Sequence, residues 1–456
     1  MTTTISAKQV LTADGWQHNA TIEIDDSGYI SKISGDHCQA DESVDILLPA
    51  LSNLHSHSFQ RAMAGLAEKR GPNPIDDFWS WRKVMYRFLE ILSPDDIQTI
   101  AALVQMEMLE AGFAASAEFH YVHHAHKGQR YAQLDELSQR HFEAARLTGI
   151  GYTHLPVLYM QGGLDGRELI GGQLRFGCSI DEFHTLFDTL DGRFSDLPKD
   201  YCLGVAPHSL RAISPEALSS VIQLAPNAPI HIHAAEQLAE VREVKEVLGT
   251  TPVRWLLENM PIDHRWCLIH ATHLDHAETV DLATSNAVAG LCPITEANLG
   301  DGIFNAETYM KNGGKFGIGA DSNVNIALSE ELRMLEVSQR LRDQRRVVLS
   351  NEQMKSNGRY LYQSACQGGA QAIGRKSGSI EVGTLADLVA LNANHYSIAE
   401  LSEDTILDTW IFACSDDIIS DVWSAGRHMV RDGVHVQRNK ITSEFHQTIT
   451  RLRRDL

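Results

Sequence analysis

Cysteine is scarce in this chain. Seven are scattered through 456 residues (positions 38, 178, 202, 267, 292, 366 and 414), odd in number and with no Cys-x-x-Cys pair. A disulfide framework is therefore not the organising device, and a reduced, cytoplasmic compartment is the expectation. No uninterrupted apolar run approaches the roughly 18 residues of a membrane-spanning helix. The first ten residues lack the basic stretch and apolar core of a signal peptide. Basic residues are also short: 39 Lys and Arg against 59 Asp and Glu give a net charge of −20. That balance speaks against a nucleic-acid groove or attraction to anionic membranes. It leaves a small anion open, because a few local arginines reverse the field inside one pocket. Hydrophobic residues at 43% and charged residues at 21% are ordinary globular usage. Disorder, collagen and coiled coil are excluded as descriptions of the whole chain.

The two ends share one texture. Residues 21–24 and 29–33 alternate around a turn at 25–28, and residues 387–391 and 421–434 read as strand, turn and strand. The middle has another rhythm. Short apolar runs occur at 45–57, 113–121, 150–159, 201–209, 229–236, 265–272, 287–293 and 315–323, mostly separated by helical stretches. Eight such runs over about 270 residues match the count and span of a (β/α)8 barrel. The expectation is an α/β chain. A small β-sandwich-like domain is formed from both termini (1–48 and 376–456), and a TIM-like catalytic barrel occupies 49–375. Ser93, Pro94, Asp95 and Asp96 predict a capped helix start, with Gly112 closing that helix. Ile441, Phe445, Ile449 and Leu452 share one face of a final docked helix.

The chemistry is expected at the C-terminal ends of the strands, where such barrels build their sites. The first run ends in His55 and His57, two apart and so on one face of a strand, where both imidazoles can meet one ion. A lone pair of this kind is more often two core histidines. Here, however, His233, Glu236, His270 and Asp321 close the fifth, sixth and eighth runs. His233 is preferred to His231 because it lies at the mouth and precedes Glu236 by three residues. Three histidines and an aspartate on one rim suit a zinc or ferrous ion with an open position for water. Other histidines are set aside. His120, His123, His124 and His126 are expected to be solvated or packed, and His141, His184, His273 and His276 to be surface residues in helical contexts. Cys292, at the seventh strand end, has no activating base in sequence and is expected to be inert.

His55, His57, His233, Glu236, His270 and Asp321, in that order and on those strands, resemble the amidohydrolase superfamily. The patches at 383–389 and 426–433 resemble its small β-domain. The resemblance covers essentially the whole chain and implies a metal-dependent deaminase. Binuclear members bridge two metals with a lysine ending the fourth strand, and no lysine occurs between Asp200 and Val244. One divalent ion is therefore implied, zinc first and iron second, held by His55, His57, His233 and Asp321. The stretches 55–63, 78–86, 118–124 and 206–211 are similar to the formiminoglutamate deiminases of histidine degradation. By that resemblance Gln60, Arg82, Tyr121, His208 and Arg211 hold a small dicarboxylate, and Glu236, His270 and Asp321 carry the catalysis. Two carboxylates on the substrate fit arginines that bind them bidentately. A homodimer is the expected assembly, without nucleic acid or membrane as partner. The alternatives are a deaminase acting on a guanidino, purine or pterin substrate, kept open by the aromatic segment 78–81, and a non-catalytic scaffold that has recruited the fold.

Overall fold

The computed structural model describes residues 2–35, 40–69 and 78–455, except the side chains of Phe78, Trp79 and Asp455. The chain is a mixed α/β protein. Each of the eight central runs contains parallel strand: Leu51–Asn53, Phe113–His120, Gly151–Leu158, Cys202–Leu203 with Ala206–Pro207, Ile230–Ala234, Trp266–His270, Val288–Leu291 and Lys315–Ile318. The first four pair in chain order in one sheet and the last four in another. Backbone hydrogen bonds tie the two sheets together along both edges. Leu54 N–H donates to Ile318 and Asp321 N–H to His55, each at 2.9 Å. On the other edge, Val205 N–H donates to Pro229 and His231 N–H to Val205, each at 3.0 Å. Close approach on the inner side depends on glycine. A Cβ at Gly317 would lie 2.5 Å, and one at Gly290 2.9 Å, from the methyl groups of Leu54.

The helices between the strands carry the local signals that the sequence predicts. Ser93 caps Pro94–Glu110 through a reciprocal box with Asp96, and Gly112 follows with φ +93°. The C-terminal helix Arg438–Asp455 buries Ile441, Ile449 and Leu452. Ile441 and the half-buried Phe445 pack with Ala102, Leu103 and Met106 of that capped helix.

Strands from both ends of the chain lie in one sheet. One eight-stranded sheet runs in the order Val434–His435, Arg427–Arg431, Ile419–Ser424, Leu388–Leu391, Glu42–Pro49, Thr3–Thr12, Gly15–Ile24, Ile30–Ser34. The two chain ends meet where Leu388–Leu391 lies antiparallel to Glu42–Pro49. A buried ionic cluster fastens this sheet to the parallel strands. Arg375 makes a bidentate pair with Asp387 at 2.6 and 2.8 Å, and Asp200 is shared between Arg375 and Arg427. Fully paired charges of this kind are tolerated inside, and removing one partner strands the other. No helix among the described residues is long and apolar enough to cross a membrane.

Candidate active site and metal centre

The C-terminal ends of the parallel strands are locally strained. Ala235, His270, Ala271, Asp321 and Asn323 all have φ between 47° and 68°, a region that costs non-glycine residues energy and tends to mark functional sites. Buried Asn53 splints the first strand to its neighbours. Its amide donates to His55 O (3.2 Å) and Ser116 Oγ (3.0 Å), while its carbonyl accepts from Ala320 N–H (2.7 Å). Beside it, a Cβ on Gly319 would lie 2.7 Å from His55 Cβ, so only glycine lets the last strand pass His55.

These strands bring His55, His57 and His233 together, with one ligand atom of each within 4.8 Å of the others. His233 Nε2 faces His55 Nε2 at 3.1 Å, and Asp321 Oδ1 stands 3.6 and 3.5 Å from the Nε2 atoms of His55 and His57. Tetrahedral ligands about 2.0–2.1 Å from zinc are separated by about 3.3 Å, so these spacings suit one shared ion. The tautomers fit as well. His57 and His233 donate Nδ1–H to the carbonyls of Phe119 and His208, each at 3.2 Å, which leaves both Nε2 lone pairs directed inward. Burial, reinforced by the neighbouring histidines, drives the pKa of His55 and His233 well below normal. Burial holds His57 at about 3. Neutral imidazole is the form a metal binds. The donor set fits a divalent transition metal.

His270 sits across from this cluster. Its Nε2 lies 3.9 Å from Glu236 Oε1 and 3.8 Å from Asp321 Oδ2, and its Nδ1 lies 3.2 Å from Glu296 Oε1. Burial opposes its charge, but the carboxylates of Glu236, Glu296 and Asp321 outweigh that and hold its pKa up at about 10. Burial raises Asp321 to about 7 and, with help from Glu236, raises Asp301 to about 9. Ionisable groups displaced this far and this close together mark a candidate site for proton transfer.

Gln60, Arg82, Tyr121, His208 and Arg211 line the same cavity as His57, His233, Glu236, His270 and Asp321. Gln60 Nε2 donates to Tyr121 Oη at 2.9 Å. Arg82 donates to Tyr159 Oη at 3.0 Å and lies over the Tyr86 ring at 5.2 Å. His208 packs edge-on to Tyr159 and bonds Ser209 Oγ at 2.9 Å. The site therefore places two arginines on the same cavity as a metal-type cluster in an otherwise acidic protein.

Sequence reasoning missed Glu296, Glu240, Tyr86 and Tyr159. Glu240 receives the N–H groups of Ala235 (3.2 Å) and Glu236 (3.0 Å) and so fixes the strained turn that carries Glu236. Glu296 follows the seventh strand by only five residues, a position that the strand-end rule covers. The set-aside histidines need correction at His141, which is buried, at His184, which is half-buried, and at His273, which lies half-buried in a loop and not in a helix. His141 is not a surface residue: it is 2% exposed, and its ring centroid lies 4.8 Å from that of buried His120. His120 also lies 5.1 Å from His154. A helix facing the sheet buries one side whatever its polarity, and His141 is on that side. His123 and His124 are likewise buried, bonded to the carbonyls of Val157 and Gly177. His126 pairs with Glu90 at the surface. His184 is half-buried against Ser220, His273 lies in a loop, and His276 is exposed at a helix start. His231 donates Nε2–H to Ala372 O at 2.7 Å, one step below the ligand cluster. Cys292 is buried with its thiol pKa raised well above normal by burial, so it is inert. The side chains of Phe78 and Trp79 lie outside the described residues.

Comparison with known proteins agrees with this geometry. The model of the Amidohydrolase family matches residues 46–429. The formimidoylglutamate deiminase of Pseudomonas aeruginosa is 45% identical over 452 residues, 98% of this chain and 99% of the relative. A 5-methylthioadenosine/S-adenosylhomocysteine deaminase from Natronomonas pharaonis is 26% identical, covering 86% of this chain and 84% of its own. Among solved structures, an amidohydrolase from Brucella melitensis superposes with a TM-score of 0.94 at 43% identity, over 99% of both chains. A zinc complex of an atrazine chlorohydrolase from Arthrobacter aurescens shares the fold at a TM-score of 0.83 and 22% identity, over 98% of this chain and 99% of its own.

Proposed function

The chain belongs to the amidohydrolase family, and from that premise we propose that it hydrolyses the amidine carbon–nitrogen bond of N-formimino-L-glutamate, giving N-formyl-L-glutamate and ammonia in histidine degradation. The observation that carries this reading is the placement of Arg82 and Arg211 on one cavity with the metal-type cluster. An acidic protein has little reason to hold two guanidinium groups there unless the substrate carries carboxylates. The full-length similarity to a formimidoylglutamate deiminase supports the same substrate.

His55, His57, His233 and Asp321 would hold one divalent ion, zinc first and iron second, both of which accept imidazole and carboxylate donors. Bound there, such an ion supplies a water acidic enough to act as nucleophile near neutral pH. Gln60, Tyr121 and His208 orient the substrate, while the two arginines bind its carboxylates. Asp321 takes a proton from the attacking water as its oxygen bonds to the formimino carbon. His270 steadies the charge that develops on that oxygen. Glu236 shuttles both of the water's protons to the terminal nitrogen, including the one Asp321 takes up, so the carbon–nitrogen bond breaks, the former water oxygen becomes the formyl oxygen, and ammonia leaves. Protonation of the other nitrogen would release glutamate and formamide instead, so the reach of Glu236 selects the product.

The eight parallel strands are read as one closed barrel spanning 49–375, with 1–48 and 376–456 forming the small β domain. The hydrogen bonds along both sheet edges support that closure. The aromatic lining of Trp81, Tyr86, Tyr121, Tyr159 and Phe176 favours a second reading, a deaminase of a purine, pterin or guanidino compound that stacks on rings. Ammonia release from a panel of formimino, guanidino and purine substrates separates the two. Turnover of a purine above formiminoglutamate would overturn the dicarboxylate reading.

A further inference from the structure

Glu296 touches no part of the proposed ligand set, yet it is 5% exposed and committed to His270, a cavity imidazole outside that set. It belongs to the short helix Pro293–Leu299 that follows the seventh strand. A single carboxylate oxygen, Oε1, accepts two hydrogen bonds: the backbone N–H of Cys292 at 2.9 Å and the Nδ1 of His270 at 3.2 Å. The first is a bond to the main chain of the helix's own N-cap, so the carboxylate has little freedom to turn. The second fixes which edge of His270 looks away from the cavity.

That fixing has something to resist. His270 stands at φ +68° and is followed by Ala271 at φ +47°. Two consecutive left-handed non-glycine residues at a strand end are a strained corner. An imidazole on such a corner, 1% exposed and with cavity on one side, needs a partner to keep a single ring orientation. In the observed orientation its other nitrogen lies 3.9 Å from Glu236 Oε1 and 3.8 Å from Asp321 Oδ2, between the two carboxylates that exchange protons with substrate and water. A ring flip would exchange Nε2 for carbon at that point and leave Glu296 without its donor.

We propose that Glu296 is a positioning residue. Its carboxylate, anchored by the Cys292 amide, holds His270 by Nδ1 so that Nε2 stays directed between Glu236 and Asp321. This rests on the deiminase reading given above for the role of His270, but not for the geometry. A rival use of the same atoms exists, because His270, Cys292 and Glu296 are close enough to clasp an ion of their own. The hydrogen-bonding pattern argues for the positioning role: Oε1 already accepts from a backbone N–H and faces His270 Nδ1, the nitrogen that an ion there would need free.

The test compares Glu296→Ala and Glu296→Gln with the wild type in kcat, KM, bound metal and crystal structure. Orienting partners of active-site imidazoles typically contribute about 10–100-fold. Glu296→Ala is expected to lose that factor in kcat, with KM within about two-fold and metal content unchanged. His270 should be seen rotated or in two orientations. Glu296→Gln keeps an oxygen for the Nδ1–H, so it is expected to recover most of kcat and the single ring orientation. A Glu296→Ala protein with wild-type kcat and an unmoved His270 would overturn the proposal. So would loss of a metal equivalent in that variant, which would assign these residues to a second ion. The orientation of His270 is read without substrate. A wild type that releases no ammonia from formiminoglutamate therefore overturns the deiminase reading alone.

Discussion

His55 and His233 meet Nε2 to Nε2 at 3.1 Å although 178 residues separate them in the chain. A neutral imidazole N–H or a shared cation can bridge such a contact. Asp321 Oδ1, 3.6 and 3.5 Å from the Nε2 atoms of His55 and His57, completes a donor set that fits the cation.

The first prediction follows directly. The purified protein should carry about one equivalent of a divalent transition metal, and a chelator should remove both the metal and the ammonia-releasing activity. His55→Ala should fail to retain the ion. Elemental analysis that finds two equivalents, both required for turnover, would contradict the single-ion centre.

Glu236→Gln should keep the metal and the fold while kcat falls by about 10²–10⁴-fold, the usual contribution of a positioned proton donor. The amide preserves the shape and the neighbours of Glu236, including the N–H that Glu240 holds at 3.0 Å. Steady-state kinetics beside metal analysis measure this. A near-native kcat would remove Glu236 from the chemistry.

Arg211→Met should act on specificity. Removing one partner of a desolvated charge pair costs about 2–5 kcal/mol, to be seen in kcat/KM for formiminoglutamate. On a formimino substrate that lacks the relevant carboxylate, the two proteins should come close together. If the wild-type preference for the dicarboxylate survives in the variant, Arg211 is not its clamp.

Gly319→Ala should weaken metal binding without touching a ligand. Its new Cβ would stand 2.7 Å from His55 Cβ and 3.0 Å from His55 N and O, so the first strand end must shift. A competition titration with a chromophoric chelator measures the loss. Unchanged affinity would show that the strand relaxes around the methyl group.

The buried histidines away from the site should make the fold acid-sensitive. Burial lowers His141 to about 3, whereas in the unfolded chain it titrates near 6.5. Below about pH 6.5 the unfolded state therefore binds a proton that the folded state does not. The stability present above that pH is lost progressively as pH falls toward 3, by at most about 1.4 kcal/mol per pH unit for this one group. His141→Leu should flatten the decline of the urea midpoint between pH 6.5 and 4.5, and a variant with the wild-type slope would exclude His141 as a contributor.

Much of this was written locally. Alternation placed His55 and His57 on one face, and a strand end followed by Glu236 singled out His233 over His231. Ser93 and Asp96 marked a helix start, and the four-residue spacing of Ile441, Phe445 and Ile449 marked a docked face. These signals are legible because a strand's period and a helix's cap depend on a few neighbouring residues. What needed the tertiary structure were the relations between distant segments. Nothing near His141 says that its side of the helix is covered, and nothing near Glu296 says that a strained His270 lies 3.2 Å away. Arg82 reaches the cavity from a helix and Arg211 from a strand end, and only the packing of those elements makes them one pair. The sequence by itself determined which side chains stand at strand ends. The parallel register of the strands, with bonds between the two sheets such as Asp321 N–H to His55 O, decided which of those ends meet. Register is set by backbone pairing between segments tens to hundreds of residues apart, so it leaves little mark on any one segment.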